Sequence, residues 1–137
     1  MIDVPRGLAL WLHIAAAAVL VGGALYARLA IQAAVTAVAP DDAIRINDTA
    51  SERFRGWVFA AIAVLLITGI YNYLYTGAHS PRYHILLGIK LLLALHVFAS
   101  VLLALRPKNP RRGRQLAGAG ISGVAIILIA VYLTQIA

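Results

Sequence analysis

The sequence predicts an all-α integral membrane protein, an antiparallel bundle of four transmembrane helices that forms one domain over residues 1–137. Three observations lead to this prediction. Hydrophobic residues make up 62% of the chain and charged residues only 12%, whereas a soluble domain carries about 25% charged residues. Four long apolar runs alternate with short polar stretches, and most basic residues fall in two of those stretches.

The first two spans are expected at residues 7–39 and 56–76, because a spanning helix needs about 20 mainly apolar residues. The first apolar run exceeds the roughly 7–15 residues of a signal-peptide core, so it is expected to be a retained span. Pro40 ends it, and the acidic pair after this proline can cap the following helix. The polar segment 40–55 is expected to be a loop, and Gly77 follows the second span.

The third and fourth spans are expected at residues 83–105 and 115–136. The third begins after Pro81 and is stopped by Pro107, and the polar segment 106–114 separates it from the fourth. Because the linkers are short, consecutive helices are expected to pack antiparallel.

The basic residues predict the orientation. Segments 40–55 and 106–114 together hold eight Arg or Lys, whereas the N-terminus and the 77–82 loop hold only Arg6 and Arg82. The positive-inside rule then puts both termini outside, which is the periplasm for a bacterial inner membrane. The net charge of +7 follows this topology pattern and shows no basic face on a soluble fold, so nucleic acid is not an expected partner.

The absence of cysteine excludes disulfides, thiolate metal sites and iron–sulfur clusters. Ionisable residues within a span are functional candidates by default, which selects His13, Arg28, Lys90 and His96; Arg28 lies close to the inner interface and is expected to snorkel. His13 and Lys90 are both expected about 10 Å below the outer surface, and His96 about 9 Å deeper than Lys90. His84 and His79 are expected just above the first two, at the outer mouth of the bundle.

Three functions fit these residues. His13, His84 and His79 form an outer cluster of imidazoles that suits a copper ion, with Lys90 close by. In a haem b protein, His13 with His84 or His96 would ligate iron, and Lys90 would hold a propionate. Depth favours His84 over His96 as the partner of His13. The third function is a structural or assembly subunit with hydrogen-bonded histidines.

Three segments carry a family resemblance: residues 12–23, 53–72 and 82–91. Together they resemble the copper-resistance D (CopD-like) family of four-helix membrane proteins over about 90 residues. The resemblance implies an inner-membrane protein of copper uptake or homeostasis and carries over His13 and Lys90. This chain has His84 where the family usually has glycine, and His96 is an addition. These extra imidazoles favour a bound cofactor over copper transport alone.

Residues 23–29 also resemble part of the first helix of HemJ-type protoporphyrinogen oxidases, which are short four-helix membrane proteins that bind b-type haem. The Trp-Leu-His-x-Lys sequence of that family is absent here. The leading prediction is therefore a CopD-like membrane protein that handles copper through outer histidines, with haem b as the alternative. No enzyme activity is expected unless haem is bound. The expected partners are the bilayer and a metal ion or haem, and a homo-oligomer or larger membrane complex is compatible with this interpretation.

Overall fold

The computed structural model describes residues 3–77 and 80–136. Four long helices account for most of them: α1 (Val4–Tyr26), α2 (Pro40–Thr76), α3 (Pro81–Ala104) and α4 (Arg112–Ile136). All four are long and apolar enough to cross a membrane, and the described residues contain no strand. The all-α four-helix prediction is confirmed.

The starts of the helices follow local sequence signals. The Asp3 side chain caps α1 by accepting a hydrogen bond from the backbone N–H of Arg6, and the Ser80 side chain caps α3 in the same way. Pro40 and Pro81 are the first residues of α2 and α3, where a missing N–H costs nothing. Gly77 follows α2 with φ +76°, a conformation that favours glycine.

The prediction of a loop at residues 40–55 is wrong, because this segment forms the first four turns of α2. The segment is polar, but after Pro40 it contains no glycine or proline that would interrupt a helix. A salt bridge between Asp42 and Arg45, 2.9 Å long, supports its first turn. With 37 residues, α2 is about 55 Å long, well beyond the roughly 30 Å of a bilayer core.

The first helix also continues past its regular part. After α1 the chain forms a π-helical turn (Ala27–Ile31), a short α-helical piece (Gln32–Ala34) and a 3-10 turn (Val35–Ala37). We call these three pieces the α1 extension. Because α3 and α4 have only 24 and 25 residues, the α1–α2 hairpin extends past the α3–α4 hairpin.

The helices pack in the order α2–α1–α4–α3 around the bundle, and α2 and α3 touch only slightly. Close contacts between α1 and α4 depend on glycines: a Cβ added to Gly123 would lie 2.6 Å from a methyl group of Val21, and Gly120 packs equally closely on Leu25. The buried core lies where all four helices meet. It includes Leu20, Ala24, Val97, Val101, Ala104, Leu116 and Ala119.

The outer surface of the bundle is strongly apolar. Trp11 is 63% exposed, and large aliphatic side chains such as Leu92 and Leu128 also point outward. Soluble proteins rarely expose apolar surface on this scale, so a lipid bilayer is the natural environment of this chain.

The two ends of the bundle differ in chemistry. At one end, which we call the termini end, α1 and α3 begin and α2 and α4 end. At the other, the basic end, two arginines bind the last carbonyl groups of α3: Arg55 donates to Leu105 O at 2.6 Å, and Arg112 donates to Ala104 O at 2.8 Å. These bonds satisfy acceptors that a helix C-terminus leaves free.

Candidate functional site

His13 on α1 is held by a hydrogen bond to α2. Its Nδ1 lies 2.8 Å from the hydroxyl oxygen of Thr68, and that hydroxyl donates its proton to Val64 O at 2.6 Å. A threonine hydroxyl has only one proton to donate, so Nδ1–H of His13 must be the donor to Thr68. A neutral His13 therefore carries its proton on Nδ1 and a lone pair on Nε2.

The surroundings of the His13 ring leave Nε2 available. The ring is half-buried and lies against Gly69 on α2, where an added Cβ would be 3.5 Å from Cε1. Within the part of the chain that the structure describes, Nε2 makes no hydrogen bond. Thus α2 fixes the tautomer and the orientation of this imidazole, and the second nitrogen can bind a ligand.

Lys90 on α3 is the charged neighbour of His13. It is half-buried, and its ammonium group is close enough to His13 for the two side chains to interact electrostatically. No acidic residue of the described chain forms a salt bridge with Lys90. The structure therefore leaves Lys90 in a membrane span without an acidic partner among the described residues.

Asn72 adds an unsatisfied acceptor to the same region. It lies four residues after Thr68, on the same face of α2. Its Oδ1 is buried and has no hydrogen-bond partner in the structure. Because a buried carbonyl without a donor is costly, this atom indicates a place where a bound molecule would supply a donor. The sequence analysis did not single out Thr68 or Asn72, although two polar residues four positions apart in an apolar span are a usable signal.

His84 and His79 were predicted to accompany His13. The Nδ1 of His84 lies 3.1 Å from Ser80 O and its Nε2 lies 3.1 Å from the hydroxyl of Tyr73. Since a carbonyl oxygen can only accept, Nδ1 carries the proton and Nε2 accepts from Tyr73. Both nitrogens of His84 are therefore engaged at the termini end. His79 lies outside the described residues.

His96 lies in a different contact, between α3 and α4. Its Nδ1 is 2.9 Å from the hydroxyl of Ser122 on α4, and its Nε2 is 3.3 Å from the hydroxyl of Ser100 on α3. The ring also packs near Gly118, where an added Cβ would lie 3.7 Å from Cε1. No contact in the structure joins His96 to His13. This geometry is that of a histidine that links two helices by hydrogen bonds.

The predicted metal-ligand set of His13, His84 and His79 is not tested as a whole, because His79 lies outside the described residues. Among residues 3–77 and 80–136, no three His, Asp or Glu side chains form a group that could hold a metal ion. The site that does form consists of one oriented imidazole, one ammonium group and one buried acceptor. Its position on α1, α2 and α3 puts it beside the weakly packed α2–α3 side of the bundle.

Comparisons with protein-family models, with curated proteins and with solved structures find no match to this chain. The site is therefore interpreted from its own geometry.

Proposed function

We propose that this chain is a haem b-binding membrane protein whose haem site is built around His13 and Lys90. The observation that carries the proposal is the Nε2 of His13, which is oriented by Thr68 and has no partner within the described chain. Haem iron is commonly held by one imidazole nitrogen. When bound, haem would supply one-electron redox chemistry.

The residues around His13 fit an anionic tetrapyrrole better than a free metal cation. Haem carries two propionates, and Lys90 is a cation that lacks a counter-ion among the described residues. A charged Lys90 next to His13 repels a copper ion, and no carboxylate of the described chain pairs with that ammonium group to offset the repulsion.

Titration of the purified, haem-free protein with haemin tests this proposal through the Soret absorbance. Loss of a residue that only hydrogen-bonds to a metal ligand already costs about 10- to 100-fold in metal affinity. Loss of the ligand itself in His13→Ala should therefore weaken haemin binding by more than about 100-fold. Lys90→Met should cost about 10- to 100-fold, the equivalent of one charge-assisted hydrogen bond.

His96→Ala is the matched control, because it removes another intramembrane imidazole that has its own serine partners. It should leave haemin affinity unchanged. Equal affinities of wild type and His13→Ala would overturn the proposal, as would a wild-type protein that does not bind haemin.

Copper is the second candidate, since His84 lies at the same end of the bundle as His13 and the resemblance to the CopD-like family carries over His13 and Lys90. Titration of the same preparations with Cu(II) separates the two functions. Copper binding that is lost in both His13→Ala and His84→Ala, in a protein that does not bind haemin, would replace the haem proposal by the copper one.

We also propose that the termini end faces the periplasm of a bacterial inner membrane. The support is the distribution of basic residues, eight in segments 40–55 and 106–114 against two in the N-terminus and the 77–82 loop. A C-terminal alkaline phosphatase fusion should be active and a C-terminal green fluorescent protein fusion dark. The reverse result would contradict this orientation.

A further inference from the structure

A cavity of about 260 Å³ lies at the basic end, away from the His13 site. The helix α1 and its extension line one side, and α2 and the start of α4 line the others. Most of its lining is apolar, and the wall includes Ala27, Ala50, Phe54 and Leu116. This volume is slightly below the usual 300–1,000 Å³ of small-molecule sites. A small apolar cavity of this kind suits a chain-shaped apolar group.

Arg112 is the charged residue in the wall of this cavity, and it is only 5% exposed. A guanidinium group has five N–H donors. Arg112 uses three of them: Nε donates to Ala104 O, and Nη2 donates to Arg106 O and to Asp48 Oδ1. The two N–H groups of Nη1 have no acceptor among the described residues. Nη1 is not among the buried unpaired side-chain atoms, so its two N–H groups are accessible to an acceptor on a bound molecule.

The charge around the cavity selects an anionic acceptor. Asp48 is already engaged, because it accepts from Arg112 and from the backbone N–H of Lys108. Arg55 binds Leu105 O nearby, and the Nε of Arg28 lies 4.0 Å from where a Cβ of Gly113 would stand. Arg112 is thus the charged residue of the wall, Arg55 and Arg28 contribute further positive charge at the same end of the bundle, and the positive end of the α4 dipole lies beside them.

The backbone of α1 changes form at this cavity. The π-helical turn Ala27–Ile31 contributes Ala27 and Ile31 to the wall. Turns of this kind interrupt regular helix packing and are frequent at functional sites. The turn therefore coincides with the one point where α1, α2 and α4 enclose an apolar volume beside a buried cation.

We propose that this cavity binds an anionic phospholipid, with one acyl chain in the apolar part and a phosphate oxygen accepting from Nη1 of Arg112. The bilayer supplies such a molecule at the depth where basic residues meet lipid headgroups. An apolar chain matches the mostly apolar wall, and an anionic headgroup matches Arg112, the charged residue in that wall. Arginine is also the side chain best suited to bind phosphate through paired N–H groups.

Native mass spectrometry of the delipidated full-length protein tests the proposal, with phosphatidylglycerol and phosphatidylcholine as probes. Both lipids carry a phosphate that can accept from Nη1, but phosphatidylcholine also carries a cationic choline, which the arginines at this end repel. The wild type should therefore bind phosphatidylglycerol about tenfold more tightly than phosphatidylcholine. Ala50→Leu fills the cavity without changing any charge and should abolish tight phosphatidylglycerol binding. Ala60→Leu is the matched control on α2, because Ala60 is exposed and does not line the cavity.

Arg112→Lys keeps the charge but removes the paired N–H groups, and it should weaken phosphatidylglycerol binding. Since Arg112 also supports α3, the Ala50→Leu variant keeps the test valid if Arg112→Lys does not fold. Equal binding of the two lipids by the wild type would overturn the proposal, as would unchanged binding in Ala50→Leu. Displacement of the phospholipid by an equal concentration of oleate would also overturn it, in favour of a free fatty acid.

Discussion

Replacing Gly123 with alanine should weaken the contact between α1 and α4. A Cβ at this position would lie 2.6 Å and 2.8 Å from the two methyl groups of Val21 and 3.2 Å from its Cβ. Val21 is buried and branched at Cβ, so it cannot rotate out of the way. The two helices would have to separate locally, at a position where small residues permit close packing.

The size of the effect follows from a comparison with Gly22→Ala. Both substitutions gain roughly 0.5–1 kcal/mol from the better helix propensity of alanine. A Cβ at Gly22 meets nothing within 4 Å, so only Gly123→Ala has the overpacking cost of about 1–3 kcal/mol. The propensity terms cancel in the difference, and Gly123→Ala should be less stable than Gly22→Ala by about 1–3 kcal/mol.

Reversible unfolding by sodium dodecyl sulfate in mixed micelles, followed by circular dichroism, measures this difference. Val21→Ala removes the methyl groups that clash, so it should cost less in the Gly123→Ala background than in the wild type. Equal unfolding free energies of Gly123→Ala and Gly22→Ala would refute the close α1–α4 contact.

Two further predictions concern single hydrogen bonds. The hydroxyl of Tyr75 donates to the carboxylate of Asp3 and holds the pKa of Asp3 below its ordinary value. This contribution to folding stability is present above the ordinary pKa of Asp3, and it is lost as the pH falls through the lowered pKa. Tyr75→Phe should raise the Asp3 pKa measured by carbon-13 NMR. An unchanged pKa would contradict the contact. Ser122→Ala should destabilise the protein by about 0.6–1.7 kcal/mol through loss of the His96 bond while haemin affinity stays constant. Haemin binding that falls with Ser122→Ala would show that His96 belongs to the ligand site.

The four helices could be predicted from the sequence because each is an uninterrupted apolar run of spanning length. The segment 40–55 could not, since its charges suggested a loop while its lack of helix-breaking residues allowed α2 to continue. The π-helical turn Ala27–Ile31 has no comparable sequence signal, because the same alanine and leucine residues also form regular helix. Polarity identifies surface exposure, and it does not by itself identify a break in a helix.

The candidate site was partly predictable. Depth along the helices predicts that His13 and Lys90 lie at one level of the bundle, and this stays a prediction. The roles of Thr68 and Asn72 depend on the rotation of α2 relative to α1, which the sequence does not define. The same holds for His96, since its serine partners could be assigned only once the packing of α3 on α4 was known.

The central claim is that Thr68 holds a neutral His13 with its proton on Nδ1, so that Nε2 is free to bind a ligand. Long-range proton–nitrogen NMR of nitrogen-15-histidine-labelled protein, without added haem, measures this directly. The His13 signal, assigned by its loss in His13→Ala, should show the Nδ1–H tautomer, and Thr68→Val should abolish that preference. A His13 protonated on Nε2, or on both nitrogens, at neutral pH would contradict the claim.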